Sequence, residues 1–412
     1  MIAFTSSVEK AKESAALTLS SSQPGEAQNL IRENDKQGND KLNILLVSGT
    51  RPEIIKLAPV YHVLSRAKWA NVFWLHTAQH GEMARQILDS FGIHPDMTLT
   101  RPGTSLLDFS LACRAQLDRV MTEQRWSLVI VQGDTESAFQ GALAAFYNRV
   151  PLAHVEAGLR TYNLDRPFPE EGLRQMISRL ARFHFTPTTR ASEALNAEGI
   201  PDGRVYLTGN TVVDAQQWTC AHHAVKRRIQ GKGHLLVTVH RRENWGNDLN
   251  EICHAIADIA ARFPKLEVLF PVHLNPLIQG PVQAILGKCH NVRLIEPLNY
   301  LEMQQALADA WILLTDSGGL QEEAPTFGVP VLVLREETER PEAINAGCAR
   351  IVGARRRDIV AEVVRLSEDD LANKRMQQTI NPFGDGQASA RIVNILEDHF
   401  SSTLSAVAVG AV

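Results

Sequence analysis

The chain has 412 residues, of which 44% are hydrophobic and 21% charged, so it has the composition of a globular protein and more length than one ordinary core needs. A formal net charge of -4 at pH 7 gives no general attraction to a polyanion, and we therefore expect no nucleic-acid partner. Because the five cysteines stand singly, no export signal is apparent and no apolar run reaches the length of a membrane span, we expect a cytoplasmic protein without membrane contact.

The predicted elements start after a polar segment. Residues 1–41 are rich in Ser, Glu, Gln, Lys and Asn without sustained periodicity, which predicts a disordered extension. Short apolar runs then alternate with longer helical stretches, which predicts an α/β protein with parallel sheets flanked by helices. The runs form two series: residues 44–47, 72–75, 128–131, 152–155 and 205–207, then residues 235–239, 266–270, 292–295, 312–314 and 331–334.

Two doubly wound units of this kind fit the length of the chain. We predict a Rossmann-like N-terminal domain over residues 42–210 and a Rossmann-like C-terminal domain over residues 211–386. A last helix, at about residues 387–402, is expected to pack back on the first domain. Such sheets bind ligands beyond the carboxyl ends of their strands, so the polar residues there are the functional candidates.

The first predicted strand ends in a turn with two cations. Gly49 permits a tight turn and Pro52 suits the first turn of a helix. Arg51 and Lys56 are then expected near the mouth of a cleft, where a helix amino terminus suits an anion such as diphosphate. The plainer interpretation is two surface cations on an ordinary strand-to-helix turn, and this motif alone does not decide between them.

Three carboxylates follow in the same half of the chain. Asp134 and Glu156 come after apolar runs and are expected in one cleft, while Glu170 lies in the first turn of a predicted helix. Close carboxylates raise one another's pKa, which lets a carboxyl group exchange protons near neutrality. Structural roles compete: a helix cap for Asp134 and a salt bridge from Glu156 to an arginine. Glu170 could likewise form a helix-stabilising i,i+4 pair with Arg174.

The second half offers residues suited to a nucleotide. His240 follows a strand and could donate to a phosphate or move a proton, although such a histidine is more often a plain hydrogen-bonding residue. Ser317, Gly318 and Gly319 open a helix whose free N–H groups suit a diphosphate, and Glu323 could accept both ribose hydroxyls. The alternative is a glycine-rich turn with a capping serine, but strand, glycines and acid stand in the order that nucleotide binding needs.

Cofactor motifs are missing from the sequence. It contains neither a GxGxxG fingerprint nor a GxxxxGK[ST] loop, and no cluster has metal-ligand spacing. We therefore predict no cofactor: neither NAD nor ATP nor a metal ion.

Many blocks of the sequence, in one order, resemble the non-hydrolysing UDP-N-acetylglucosamine 2-epimerase family. They are GTRPEIIK, AQH, QGDT, HVEAGLRT, PFPEE, TGNTVVDA, VTVHRREN, PVHLNP, DSGGLQEEAP, ETERPEA and NPFGDG, within residues 42–402. The resemblance implies a GT-B-like fold with an interdomain cleft, a homodimer, and cofactor-free interconversion of UDP-GlcNAc and UDP-ManNAc. It also implies that a base takes the C2 proton while UDP leaves C1, and that UDP adds again to the bound 2-acetamidoglucal after reprotonation on the other face.

By motif match, the resemblance implies two groups of site residues. The catalytic group acts on the C2 proton and the leaving diphosphate: Asp134, Glu156, Glu170 and His240. The substrate-binding group contacts the nucleotide or lies beside it: Arg51, Lys56, Arg174, His240, Ser317, Gly318, Gly319, Glu323 and Arg340. Arg51 and His240 would meet the diphosphate and Glu323 the ribose, while the carboxylate that removes the proton stays unassigned.

Three positions depart from the usual residues of the family. Leu173 stands in place of Asn, which could alter substrate fit or rate. Gly81 in place of Arg and Thr104 in place of Gln weaken the expectation of the bacterial family's allosteric UDP-GlcNAc site, although Gln79 and His80 remain.

Other functions stay open. A hydrolysing epimerase would release free ManNAc, but that branch has Ala-Asp where Pro52 and Glu53 stand. A 2-epimerase of a UDP-diacetamido uronic acid would use the same acids. A non-catalytic UDP-sugar sensor or a GT-B glycosyltransferase would bind a nucleotide too, but the three acids fit epimerisation better.

Overall fold

The computed structural model describes residues 41–103, 105–229, 232–241 and 244–409. The disordered extension predicted for residues 1–41 lies, apart from Lys41, outside the described residues. Two parallel sheets flanked by helices make up the described chain, which confirms the α/β prediction. In the same part of the chain, no helix combines the length and the apolar character that crossing a bilayer requires.

Seven strands of the described chain form the first sheet: β1 (Leu42–Ser48), β2 (Ala70–His76), β3 (Met97–Thr98), β4 (Leu128–Gln132), β5 (Leu152–Val155), β6 (Phe183–Thr186) and β7 (Val205–Leu207). Their order is β3-β2-β1-β4-β5-β6-β7, with every pair parallel. Ile44 and Leu46 enter one core and Leu45 and Val47 the opposite one, because successive side chains of a strand point to opposite faces. Burial on both faces explains the unbroken apolar runs.

Six described strands form the second sheet: β8 (His234–Thr238), β9 (Val268–Pro271), β10 (Val292–Ile295), β11 (Ala310–Thr315), β12 (Val331–Val333) and β13 (Ala349–Ile351). Their order is β10-β9-β8-β11-β12-β13, again parallel throughout. The ten predicted runs each coincide with a strand to within about two residues at either end. The short strands β3, β6 and β13 were not predicted.

The helices carry the connections between the strands. They are α1 (Arg51–Leu64), α2 (Glu82–Ser90), α3 (Leu106–Glu123), α4 (Glu136–Tyr147), α5 (Glu170–Leu180), α6 (Thr189–Ala197), α7 (Thr211–His222), α8 (Asn247–Arg262), α9 (Pro276–Leu286), α10 (Tyr300–Asp309), α11 (Gly318–Glu323), α12 (Pro341–Ala346), α13 (Arg356–Glu368), α14 (Asp370–Gln377) and α15 (Ala388–Val409).

The strand order places a topological switch point in each sheet. Connections leave β1 and β4 in opposite directions along the first sheet, and those of β8 and β11 do the same in the second. A crevice opens at such a point beyond the carboxyl ends of the strands, and ligands of open α/β sheets bind there. The turns after these four strands carry Arg51, Asp134, His240 and Ser317.

The last helix, α15, returns to the first sheet. Ile392, Val393 and Leu396 are buried in the core cluster of β1 and α1. Asp214 on α7 fixes the start of the helix, since its carboxylate accepts the backbone N–H of Ser389 at 2.7 Å. The chain therefore crosses to the second sheet and comes back before it ends.

Candidate active site

The turns of the two sheets face each other across a cleft. Lys56 Nζ, from the first half, lies 3.1 Å from Glu322 Oε2 on α11. Asn210 Nδ2 donates to the same oxygen at 3.2 Å. A second contact joins Thr188 Oγ1 to Glu342 Oε1 at 2.8 Å. Polar side chains from both halves of the chain are thus in direct contact.

The Arg51 turn is packed closely against α4. A Cβ on Gly49 would lie 2.0 Å from Ser137 Oγ and 2.2 Å from Thr77 Oγ1. Close approach therefore requires glycine at this position, rather than the tight turn that the sequence suggested. Arg51 begins α1 half-buried, and Lys56 lies buried one turn later.

Buried Glu53 connects this turn to the Asp134 turn. Its carboxylate accepts the backbone N–H groups of Gly49 at 3.1 Å and Thr50 at 2.7 Å. The other carboxylate oxygen accepts the hydroxyl of Thr135 at 2.7 Å. Burial raises the pKa of Glu53 to about 7, against these hydrogen bonds, which lower it. Glu53 thereby fixes the spacing of two neighbouring turns.

Glu156 follows β5 in a left-handed backbone conformation, with φ of 62°. A non-glycine residue in that region costs roughly 1–3 kcal/mol, so its neighbours must hold it there. The buried carboxylate accepts hydrogen bonds from Lys56 Nζ and Gln132 Nε2, and from Asn210 Nδ2 at 3.3 Å. The arginine partner predicted for a purely structural Glu156 is replaced by Lys56.

Glu156, Lys56 and Glu322 form one charged network. Burial, and then the charge of Glu322, raise the pKa of Glu156 above its usual range, although Lys56 opposes this. Burial lowers the pKa of Lys56, but the two carboxylates hold it above its ordinary value. Burial raises the pKa of Glu322, but Arg340 and Lys56 bring it below the ordinary value. Glu156 is therefore the member best suited to take up a proton.

Asp134 lies at the start of α4 and forms an ion pair with Arg174. The capping role considered for Asp134 belongs to Thr135, whose hydroxyl accepts the N–H of Ala138 at 3.1 Å. The turn is adjacent to Glu156, because Gly133 N–H donates to the carbonyl of the last residue of β5 at 3.0 Å. Asp134 and Glu156 are thus brought to the same edge of the sheet.

Glu170 begins α5 and is half-buried. Arg174 does not form the i,i+4 pair with Glu170 that the sequence suggested. Arg174 contacts Asp134, and it also contacts Glu171 Oε2 at 3.3 Å. Glu171 in turn accepts the N–H groups of two loop residues, at 3.0 Å each. The start of α5 is therefore anchored beside the Asp134 turn.

His240 follows β8 and is oriented by Asp316. Its Nδ1 lies 2.9 Å from Asp316 Oδ1, and its backbone N–H donates to the same carboxylate at 3.0 Å. Burial alone would raise the pKa of Asp316, but His240 and nearby N–H groups bring it below the ordinary value. The imidazole is about half exposed, so a ligand can reach it.

Ser317, Gly318 and Gly319 form the turn after β11. The Ser317 hydroxyl caps α11 by accepting the N–H of Leu320, as its structural interpretation expected. Neither glycine has a positive φ, and a Cβ on either would meet no protein atom closer than 3.7 Å. No contact inside the protein therefore requires glycine at these two positions. The room that a side chain would occupy there is open to the cleft.

Glu323 ends α11 at the edge of the network. Burial raises its pKa to about 7, against a hydrogen bond that Gln304 donates at 2.5 Å. The charge of Glu322 raises the pKa further, while Lys56 and Arg51 lower it. Since Arg51 belongs to the first sheet, its charge acts on Glu323 across the cleft.

Sequence reasoning missed several polar residues of the cleft, among them Asn210, Asp316 and Glu322. Each stands in a quoted block of the sequence, so the signal was present. A block does not say which of its polar side chains is buried, and Glu322 was hidden by its neighbour Glu323. Arg340, a site residue expected from the resemblance alone, forms an ion pair with Glu322.

Two of the three departures from the family lie in different environments of the described structure. Leu173 is buried on α5, and Gly81 is exposed immediately before α2. Thr104 lies outside the described residues. Gln79 Oε1 accepts the N–H of Ser137 at 3.0 Å, so its side chain is engaged within the first half.

Chemically, the cleft places carboxylates of the first sheet opposite a histidine, arginines and N–H groups. Within the described chain, no group of three or more His, Cys, Asp or Glu side chains is arranged to hold a metal ion. Such a site can bind a diphosphate on one side and move protons on the other.

Comparisons with known proteins agree with this geometry. The sequence model of a family described as UDP-N-acetylglucosamine 2-epimerase matches residues 62–397. The UDP-N-acetylglucosamine 2-epimerase of Salmonella typhimurium is 44% identical, over 87% of this chain and 99% of that protein. The Escherichia coli K12 enzyme of the same name is 42% identical with the same coverage. UDP-GlcNAc 2-epimerase from Neisseria meningitidis bound to UDP-GlcNAc gives a TM-score of 0.80 at 40% identity, over 87% of this chain and 100% of that one. These similarities confirm the prediction of a two-domain, GT-B-like α/β fold.

Proposed function

As this chain belongs to the UDP-N-acetylglucosamine 2-epimerase family and is an epimerase, we propose that it interconverts UDP-GlcNAc and UDP-ManNAc. The observation that carries the proposal is Glu156, a buried carboxylate of raised pKa that shares the Lys56 cation with Glu322 on α11. The Neisseria meningitidis relative, which binds UDP-GlcNAc, supports the choice of substrate. No cofactor takes part in the proposed reaction.

The first step is an elimination. A carboxylate takes the proton at C2, the C–H electrons form a C1–C2 double bond, and the C1–O bond to the diphosphate breaks. The C2 hydrogen is scarcely acidic without a neighbouring carbonyl, so the leaving diphosphate needs strong stabilisation. Arg51, His240 and the N–H groups of Gly318 and Gly319 supply it, and Glu323 holds the ribose.

The second step reverses the first, except that the proton reaches C2 from the other face of the sugar. A protonated group delivers a proton to C2 of the bound 2-acetamidoglucal, and UDP oxygen adds to C1. Two proton-transfer groups on opposite faces are therefore needed, and Asp134, Glu156 and Glu170 are the candidates. Lys56, Arg174 and Arg340 place positive charge beside these acids and near the substrate.

Proton NMR of the protein with UDP-GlcNAc in deuterated water tests the proposal. We expect UDP-ManNAc that carries deuterium at C2, because the returning proton comes from solvent. Free ManNAc would indicate a hydrolysing enzyme instead. Unchanged UDP-GlcNAc would overturn the proposal and direct attention to a diacetamido uronic acid nucleotide or to binding without turnover.

A further inference from the structure

Glu322 is a buried carboxylate to which the proposed reaction gives no role. Its side chain is 1% exposed and lies on α11, in the second half of the molecule. It accepts hydrogen bonds from Arg340 Nε, from Lys56 Nζ at 3.1 Å and from Asn210 Nδ2 at 3.2 Å. Its neighbour Glu323 is the residue proposed to meet the nucleotide.

Glu322 and Glu156 share their partners. Lys56 Nζ contacts both carboxylates, and the Asn210 amide donates to Glu156 Oε1 at 3.3 Å as well. With Arg340, two buried anions and two buried cations are present, so the charges of the four side chains cancel. Buried charges depend strongly on their partners, so a change of charge at one carboxylate alters the surroundings of the other.

Glu156 is contacted or influenced from several elements. The groups around it are Lys56 from α1, Gln132 from β4, Asn210 before α7, Glu322 from α11 and Arg340 before α12. Glu322 is the anion of this set, and the two cations oppose it. Its charge and the burial of the site both raise the pKa of Glu156.

We propose that Glu322 is a positioning residue that draws Lys56 and Arg340 toward the second sheet and thereby keeps Glu156 able to carry the C2 proton. Glu156 and Lys56 come from the first half and Glu322 and Arg340 from the second. The arrangement therefore exists only when the two halves are in contact, so closure of the cleft sets the proton affinity of Glu156. This inference rests on the proposed function.

The pH dependence of kcat, measured from C2 deuterium incorporation, tests the role of Glu322. Glu322→Gln keeps the size of the side chain and removes its charge. Lys56 and Arg340 then act on Glu156 without a competing anion, so one limb of the kcat profile should move to lower pH by about one unit. The maximal kcat should fall roughly tenfold, because a weaker base transfers the proton less readily. The Kd of UDP should change much less than kcat.

Two matched variants separate charge from structure. Glu322→Asp keeps the charge and should leave the limb at its wild-type position, even where thermal unfolding shows a loss of stability. Glu339→Gln removes a carboxylate whose Oε2 lies 3.8 Å from Arg340 Nη1, and it should leave the profile unchanged.

The outcomes are distinct. A wild-type protein without C2 exchange would overturn the proposed function and this inference with it. If the wild type is active but Glu322→Gln has the same pH profile, the inference alone is overturned. The same holds if Glu322→Asp shifts the profile as far as Glu322→Gln does.

Discussion

Asp134, Glu156 and Glu170 carry the proposed proton transfers, and each can be neutralised without a change of size. General acid or base catalysis contributes about 10²- to 10⁴-fold, so Asp134→Asn, Glu156→Gln and Glu170→Gln should each lower kcat by that order. UDP binding should be retained, since the diphosphate contacts are assigned to other residues. Turnover followed by NMR and UDP titration by calorimetry give the two measurements.

The control for these variants is Glu193→Gln, at an exposed position on α6 of the same half. It should keep wild-type turnover. Near-normal turnover in all three acid variants would contradict the acid/base assignment.

The sequence offers candidate residues for the site, but it does not show which partners they have. Lys56 and Glu156 are 100 positions apart, and only the fold makes them a pair. The like charge that acts on Glu156 was expected from the first half, whereas it comes from Glu322 in the second. Pairings across elements depend on packing distances, which a motif does not contain.

Glu53 should make stability depend on pH. Burial raises its pKa from 4.5 to about 7 in the folded state, so the folded protein disfavours the ionised form. This penalty is absent below pH 4.5, grows as the pH rises toward 7, and is constant above. Glu53→Gln carries no such charge. The unfolding free energy of this variant minus that of the wild type should therefore increase between pH 5 and pH 8, by about 3 kcal/mol.

Denaturant unfolding of the wild type and Glu53→Gln at the two pH values provides the measurement. The amide loses part of the hydrogen bonding with Thr135, which affects both pH values alike. An equal difference in unfolding free energy at pH 5 and pH 8 would show that Glu53 is not held at a raised pKa.

Among the elements, α15 offers the sharpest test of packing. Leu396 is fully buried in the core of the first sheet, although it comes after the whole second half of the chain. Leu396→Ala should lower the unfolding free energy by about 2–5 kcal/mol, because it leaves a cavity. It should leave kcat of the folded protein near wild type.

Glu397→Ala is the matched control, since Glu397 is exposed on the same helix. Thermal unfolding monitored by circular dichroism compares the two variants. Equal stability of both would mean that α15 contributes little to the first half.

The elements themselves were largely predictable, for a physical reason. Strands buried on both faces must be apolar throughout, so β4 and β11 stand out as continuous runs. Strand β3 has two residues and β6 reads Phe-His-Phe-Thr, so neither shows an unbroken apolar run. Their place in the sheet follows from neighbouring strands rather than from their own pattern.

For the molecule as a whole, the two-unit architecture followed from the two series of apolar runs. The contact between the units did not, because it combines an apolar cluster that includes Phe91 and Tyr300 with single polar residues such as Asn210, and no short motif contains such pairings. The cleft geometry, and with it the network around Glu156, required the folded structure.

The homodimer that the resemblance to the family implies would need a surface that a second copy covers. Leu107 and Leu111 on α3 are largely exposed, as are Phe146 and Tyr147 on α4. Arg114 lies over the ring of Tyr147 at 4.7 Å, which joins the two helices into one face. An exposed apolar patch of this kind is typical of a protein–protein contact.

We expect this face to form the dimer. The double variant Leu111→Glu and Tyr147→Glu would place charges where two copies meet, so it should be monomeric at concentrations where the wild type is dimeric. Light scattering after size-exclusion chromatography gives the mass of each. Leu371→Glu changes an equally exposed leucine on α14, far along the chain in the second half, and should remain dimeric. If the double variant keeps the wild-type mass, the second copy binds elsewhere; if Leu371→Glu also dissociates, added charge and not this face accounts for the result.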